Sequence, residues 1–373
     1  MNPKKRKVLY LPSTPLNLLV SVAHALAYSS EQRAQIVLID QKSRDENVYF
    51  KALTSWSNSP FERVELTLGL AKKGKEKLNE RKANFLSLSK VIKNFPADVI
   101  AVGSDRRVEF QYAMHLRSKV VGRSNIEGWY LDDGLYSYAG RPYKWFKDVV
   151  NSLLKKLAYG FWWEEPQTVG ASNWINQAWL FSPENSISAI KQKKCHPILS
   201  EWFLNKEMSQ FLEFVLNDYG VGQKMQSKFD AVDLFILIPH PNNLLKMDRY
   251  IERLECFLEK TKGLELAVMV KYHPRENKLD SLNLMERYDV MVVPSSLAFE
   301  FILPKLPQES IILGDISTVL MTAKWLRPDV TTFAILNPSD QFAQQFRGTL
   351  EKLGISMISK FEESLLFVKK KMA

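Results

Sequence analysis

The feature of this sequence that most narrows what it can fold into is an alternation of two hydrophobic patterns. Short runs that are apolar at most positions give way to longer stretches with apolar residues at helical spacing. Residues 8–11 (VLYL), 34–39 (AQIVLI), 98–102 (DVIAV) and 126–131 (IEGWYL) are runs of the first kind. A strand apolar on both sides has to be covered on both sides, which is the condition of a parallel sheet clad in helices. Between these runs, residues 16–28 carry a helical pattern behind Ser13, Thr14 and Pro15, a capping pair with proline in the first turn. Residues 72–95 read as a long, basic amphipathic helix. The rhythm returns at 233–239 (DLFILIP), 266–271 (LAVMVK), 290–293 (VMVV), 310–313 (SIIL) and 332–336 (TFAIL), with a helix expected over 244–260. The expected fold is α/β: two doubly wound, Rossmann-like domains, 1–225 and 226–360, facing across a cleft and closed by a terminal helix at 361–373.

Composition narrows the class further. Apolar residues make up 46% and charged residues 25%, the ordinary globular range. Cys195 and Cys256 are too few for a disulfide framework or a four-thiolate zinc site. The histidines stand apart, at 24, 115, 196, 240 and 273, with no metal-ligand spacing, so no metal or other cofactor is expected. A reducing, cytoplasmic compartment fits this cysteine usage. No apolar run reaches the length of a spanning helix, and the N-terminus has no long apolar stretch of a secretory signal. The 51 Lys and Arg exceed the 41 Asp and Glu, giving a net charge of +10 that favours an anionic partner. No nucleic-acid module is recognisable, so a nucleotide substrate or a phospholipid surface is preferred over nucleic acid. The hexapeptide Pro3 to Val8 (PKKRKV) spells a viral nuclear-import signal, but it runs into the first strand and is read as part of it.

Residues 141–225 differ in character. They hold Trp145, Trp162, Trp163, Trp174, Trp179 and Trp202, six of the nine tryptophans, with Phe146 and Phe161. Two readings stand: a helical hairpin closing the first domain's core, or an amphipathic surface seated peripherally on an anionic membrane.

Ligands of open α/β sheets bind beyond the carboxyl ends of strands, so the chemistry is sought there. Asp132-Asp133-Gly134 follows one strand directly. Adjacent carboxylates repel, and one of them is then suited to act as a general base, while an N-cap or turn is the plain alternative. His273-Pro274 follows the strand that ends at Lys271. A histidine held there between Lys271 and Arg275 makes a basic pocket for a phosphate, and it can donate a proton to a leaving group. His240-Pro241 also follows a strand and competes for that role, whereas His196-Pro197 falls in an expected inter-domain stretch and is read as structural. Ser295 and Ser296 follow a strand, and Ser296 is expected to open a helix over 297–303 whose free amides would bind an anion. Ser13 and Thr14 follow the first strand, where they either bind substrate or cap.

The order of these marks resembles the bacterial sialyltransferases, the lipooligosaccharide sialyltransferases and capsule polysialyltransferases among them. These share a (D/E)-(D/E)-G motif, an HP motif and a following S/T pair. The opening residues 11–19 (LPSTPLNLL) resemble the start of the lipooligosaccharide group. The resemblance implies a GT-B fold and inverting, metal-independent transfer of sialic acid from CMP-sialic acid to a glycan hydroxyl. It implies Asp133 as base and His273 as the acid on the CMP phosphate. Pro274 would lie near the cytosine, Ser295 and Ser296 on the phosphate, and Asp132, Gly134, Ser13, Thr14 and Lys271 would line the substrate. Another CMP-activated acid sugar (Kdo, legionaminic or pseudaminic acid) or a UDP-sugar is the alternative donor. Oligomeric state is not legible in the sequence.

Overall fold

The computed structural model describes residues 5–141, 145–245, 247, 249–336 and 341–368. They form two compact units, Met1–Asp218 and Tyr219–Ala373. The division falls slightly before the boundary read at 225/226, because Val221 and Phe229 are buried and the Tyr219 hydroxyl donates to the Ser296 carbonyl of the second unit.

The first unit is built on seven strands: β1 (Arg6–Leu11), β2 (Gln32–Gln41), β3 (Phe61–Leu68), β4 (Val99–Val102), β5 (Glu127–Leu131), β6 (Gln177–Leu180) and β7 (Lys194–Pro197). Their order is β3-β2-β1-β4-β5-β6-β7 and every pairing is parallel. Central β1 and β4 are apolar on both faces because helices cover both, and Val8 to Leu11 and Val99 to Val102 are all buried. The second unit repeats the plan with β8 (Leu234–Leu237), β9 (Val268–Lys271), β10 (Met291–Val293), β11 (Ile311–Gly314), β12 (Thr331–Ile335) and β13 (Ser356–Ile358). Its order, β10-β9-β8-β11-β12-β13, is the same doubly wound arrangement, again all parallel. In each sheet the direction of winding reverses once, between β1 and β4 and between β8 and β11, and these reversals mark where loops diverge and leave room for a ligand.

Several elements depart from the sequence reading. The segment 141–225 is not a helical hairpin: besides the helices Trp145–Tyr159 and Lys206–Asp218 it supplies β6 and β7 to the first sheet. His196 therefore lies in β7 and not between domains, with its ring stacked on Trp179 at 4.5 Å and its Nε2 3.0 Å from Gln177 Oε1. The helix expected over 244–260 runs Tyr250–Lys262, after a single turn at Pro241–Leu244. The chain end carries a 3-10 turn, Phe361–Ser364, and the helical turn Leu365–Val368, with Phe361 packed on Tyr250 and Phe257; residues 369–373 of the expected terminal helix lie outside the described residues. Of the import-like hexapeptide, Arg6, Lys7 and Val8 are in β1, while Pro3 and Lys4 lie outside the described residues.

Three tryptophans of the first unit enclose one buried histidine. His24, on the helix Pro15–Ala27, accepts a hydrogen bond at Nδ1 from the Tyr10 hydroxyl at 2.7 Å, and that hydroxyl accepts from Gln32 Nε2 at 2.8 Å. Trp179, Trp129 and Trp202 meet the imidazole edge-on at 4.6, 5.4 and 5.7 Å, and Tyr28 stacks on it at 4.8 Å. Burial, aided by His196, lowers the His24 pKa from 6.5 to about 3. The native state thus refuses a proton that the unfolded chain accepts, so stability is lost as pH falls from 6.5 towards 3. That loss should reach roughly 4 kcal/mol. In urea titrations between pH 7 and 4, His24→Gln should show a flatter fall of the midpoint than the wild type. Equal slopes would mean that His24 is protonated in the fold.

Candidate active site

The acidic pair at the carboxyl end of β5 divides into two different groups. Asp132 is fully buried and saturated with donors. Its Oδ1 accepts from the Gly134 amide at 2.9 Å and the Ser137 hydroxyl at 2.7 Å; its Oδ2 accepts from the Phe181 amide at 3.1 Å and from the Tyr138 hydroxyl. These contacts make it a knot between β5, the turn after it and the end of β6. Gly134 holds φ at +95°, a left-handed conformation that glycine adopts without a Cβ clash. Asp133 keeps partial access to solvent, yet protein surrounds its carboxyl at longer range. Its Oδ1 accepts from Asn17 Nδ2 at 2.8 Å. Burial pushes Asp133 up from 3.8 to about 7; the Asn17 hydrogen bond and the Arg107 charge oppose this, and Asp132 and Asp105 reinforce it. A carboxyl poised there exchanges protons readily near neutrality.

Asn17 comes from the opposite end of the sequence through the sheet order. It sits in the first turn of the helix that follows β1, where Thr14 Oγ1 caps it by accepting from the Asn17 amide at 3.2 Å. Ser13 Oγ lies 3.4 Å from Asn17 Oδ1 and aims the amide group with its Nδ2 towards Asp133. The space for that side chain exists because residue 103, at the end of β4, has none: a Cβ there would lie 2.1 Å from Asn17 Cγ. Asp105, fully buried, accepts from the Gly170 and Ser172 amides at 2.9 and 2.8 Å. Arg107 pairs with Asp40, which also receives Arg81 Nη2 at 2.8 Å. Asn17, Gly103, Asp105 and Arg107 were not singled out in the sequence. The visible signal was the run Gly103-Ser104-Asp105-Arg106-Arg107 directly after a strand beside the winding reversal.

In the second unit the strand ends of β8, β9 and β10 gather the other candidates. His240 Nδ1 accepts from the Asn242 amide at 3.0 Å, and His273 Nδ1 accepts from the Arg275 amide at 3.2 Å. The two His-Pro turns are thus built alike: proline, lacking an N–H, lets the next amide fold back onto the ring. In His273 this contact leaves Nε2 as the protonated nitrogen of the neutral ring, whereas His240 Nε2 lies 3.3 Å from the donor Arg275 Nη1. The rings meet at 4.6 Å and 62°. Burial first, then His240, Lys271 and Arg275, lower the His273 pKa to about 4. Lys271 is buried and donates to the Tyr272 and Ser295 carbonyls at 3.1 and 2.9 Å; burial lowers its pKa to about 8, opposed by Glu300. Tyr272 is buried and donates to Asp280 Oδ1 at 2.6 Å. Ser295 Oγ donates to the Glu276 carbonyl at 3.0 Å. Asp315, after β11, is raised to about 6 by burial against its hydrogen bond with Asn243.

The structure thus brings Ser13, Asp132, Asp133 and Gly134 together in one unit, with Thr14 as the helix cap. It brings Lys271, His273, Pro274 and Ser295 together in the other, with His240 beside them. Ser296 is a correction. It does not open a helix: residues 297–303 hold only the 3-10 turns Phe299–Phe301 and, starting at residue 303, Leu303–Lys305. Leu297, Phe299, Glu300, Phe301, Ile302 and Leu303 are all buried, so the segment is covered all round instead of striped, and Pro304 disfavours continuing it as a helix.

No family model matches the chain, and no curated protein sequence matches it. Solved structures do. An α/β-galactoside α-2,3-sialyltransferase from Photobacterium phosphoreum covers 95% of this chain and 99% of its own at 14% identity, with a TM-score of 0.56. The UDP-GlcNAc 2-epimerase of Methanocaldococcus jannaschii covers 98% and 92% at 14% identity, with a TM-score of 0.55. A UDP-N-acetylglucosamine 2-epimerase assigned in Listeria monocytogenes as putative covers 99% and 89% at 12% identity, with a TM-score of 0.56. At these identities the likeness establishes the fold: the two Rossmann-like domains are those of the GT-B class.

An under-solvated carboxylate is a stored cost. The native Asp133 carboxyl favours its proton up to about pH 7, while the unfolded chain loses it near 3.8, so this stabilising term is complete below 3.8 and lost as pH rises through 7. Asp133→Asn should therefore unfold at a higher urea midpoint than the wild type at pH 8, by up to roughly 4 kcal/mol. The gap should close as the pH approaches 4. A variant no more stable than the wild type at pH 8 would contradict the buried, raised carboxyl.

Proposed function

We propose that this protein transfers sialic acid from CMP-sialic acid to a hydroxyl of a glycan acceptor, a terminal galactoside of a bacterial surface glycan, with inversion and without a metal. The observation that carries this reading is the Asp133 carboxyl, set near neutrality at a strand's carboxyl end beside a winding reversal. It is supported by the two imidazoles, Lys271 and Arg275 grouped at strand ends of the other unit, and by the shared fold with a galactoside sialyltransferase.

In this reading the acceptor hydroxyl attacks the anomeric carbon of the sugar as its bond to the phosphate oxygen breaks. The Asp133 carboxylate takes the hydroxyl proton. The sugar passes through an oxocarbenium-like state. Negative charge gathers on the departing phosphate, where His273 Nε2–H meets it; the donor's own charge favours a second proton on that ring. Asp132 does not compete as base, because its four contacts hold both oxygens. Asn17 is a positioning residue: it aims the Asp133 carboxylate and keeps its pKa from rising further. The reading requires Asp133 and His273 to reach one donor–acceptor pair.

A UDP-sugar reading is favoured by the equal likeness to UDP-GlcNAc 2-epimerases, and one assay separates the two. The purified protein is incubated with a galactoside panel and, in turn, CMP-sialic acid, CMP-Kdo, CMP-legionaminic acid, CMP-pseudaminic acid and UDP-GlcNAc, in EDTA. CMP release with a product one sialic acid heavier is expected. UDP-GlcNAc turnover without CMP-sugar turnover would overturn the proposal. Asp133→Ala and His273→Ala should each lower turnover by at least ~100-fold with folding intact; a larger loss in His240→Ala than in His273→Ala would move the acid to His240. The kcat/KM profile should fall below about pH 7, where Asp133 takes up its proton. Asn17→Ala and Gly103→Ala should both shift that limb to higher pH, since each removes the hydrogen bond that lowers it; an unmoved limb would reduce Asn17 to packing.

A further inference from the structure

The helix Trp145–Tyr159 is turned inside out relative to an ordinary surface helix. Phe146, Val149, Val150, Leu153, Leu154 and Leu157 recur at helical spacing and all face solvent, with Phe161 just beyond. Phe146, Leu157 and Phe161 are 75%, 70% and 83% exposed. Two of its charged side chains, Asp148 and Lys155, face the protein instead. Asp148 is buried and pairs with Arg141 at 2.5 Å, and Lys155 pairs with Glu165 at 3.0 Å and lies 4.1 Å from the centre of the Trp163 ring. Leaving such a stripe in water is unfavourable, and a continuous one marks an interaction site.

We propose that this face seats the protein on an anionic lipid bilayer. At 15 residues the helix is about 22 Å long, too short to cross a hydrocarbon core of about 30 Å, so it lies in the plane of the interface. Charge selects the occupant. Residues 141–161 contain Arg141, Lys144, Lys147, Lys155 and Lys156 against the single acid Asp148; Arg141 and Lys155 are paired with Asp148 and Glu165, and Lys144, Lys147 and Lys156 make up the basic surplus. A second copy of the chain packed here about a two-fold axis would bring like charges together. Anionic headgroups are complementary to that surplus, and the acyl boundary accepts the apolar stripe.

The test is co-sedimentation of the full chain with vesicles of phosphatidylglycerol mixed into phosphatidylcholine, beside vesicles of phosphatidylcholine alone. Binding to the anionic vesicles is expected, weaker on the neutral ones and weakened by salt. The triple change Phe146→Ser, Leu153→Ser, Leu157→Ser leaves all charges in place and should lower the partition coefficient at least ~10-fold. Circular dichroism and the thermal midpoint check its folding. Should it fail to fold, Leu157→Ser alone, at one exposed position, should still weaken partitioning measurably. Absence of vesicle binding, or binding unchanged in the folded variants, overturns the proposal. So does light scattering showing a dimer that the triple change dissociates, since a second copy would then cover the stripe.

Discussion

The chemistry assigned to this chain depends on how protein, in place of water, surrounds two adjacent carboxyl groups at the end of β5. Asp132 receives four hydrogen bonds and becomes part of the frame. Asp133 receives one from Asn17 and is otherwise deprived of solvent without being given equivalent partners. Burial raises the pKa of both, yet identical side chains one peptide bond apart acquire different roles, since hydrogen bonds hold both oxygens of Asp132 and only one of Asp133. The frame comes first: without Asp132 tying the turn to β6, nothing would hold the next residue in so poorly solvated a place.

The same topology is used twice, with different ionisable groups at its strand ends. The first unit sets carboxyl groups of Asp105 and Asp133 around its winding reversal. The second sets His240, His273, Lys271 and Arg275 after β8 and β9. Each His-Pro turn presents a ring with Nδ1 already occupied by a backbone amide; in His273 this leaves Nε2–H as the donor, whereas His240 Nε2 faces the Arg275 guanidinium at 3.3 Å. The proposed transfer would draw on both sets, a carboxylate to take the hydroxyl proton and an imidazole to meet the phosphate.

Much of the fold was legible because central strands of parallel sheets are apolar on both faces. β1, β4, β8, β9 and β11 stand out for that reason. β3, with Glu62, Arg63 and Glu65, and β7, with Lys194 and His196, lie at sheet edges, where one side meets solvent, and their polar residues hide them. The tryptophans of 141–225 suggested one helical unit, yet Trp179 lies in β6 and Trp163 and Trp174 are buried in the first unit's interior. Asp132, Asp133 and His273 could be read because they follow apolar strand runs in an order that resembles a known family's motifs, although His240-Pro241 also follows a strand and kept the choice of histidine open. Asn17 could not, because its significance is a contact across more than a hundred residues of chain, made possible by the absence of a side chain at Gly103. Ser296 was misread for the opposite reason: a capping residue before an apolar run is a local signal, and burial on every side overrode it.

The most direct test of the central claim is the titration of the Asp133 carboxyl itself, followed by carbon-13 NMR with labelled aspartate and assigned by the Asp133→Asn variant. A midpoint near pH 7 in the folded, unliganded protein is the predicted result. A midpoint near 4, in the range of a solvated aspartate, would contradict it and remove the base on which the proposed transfer depends.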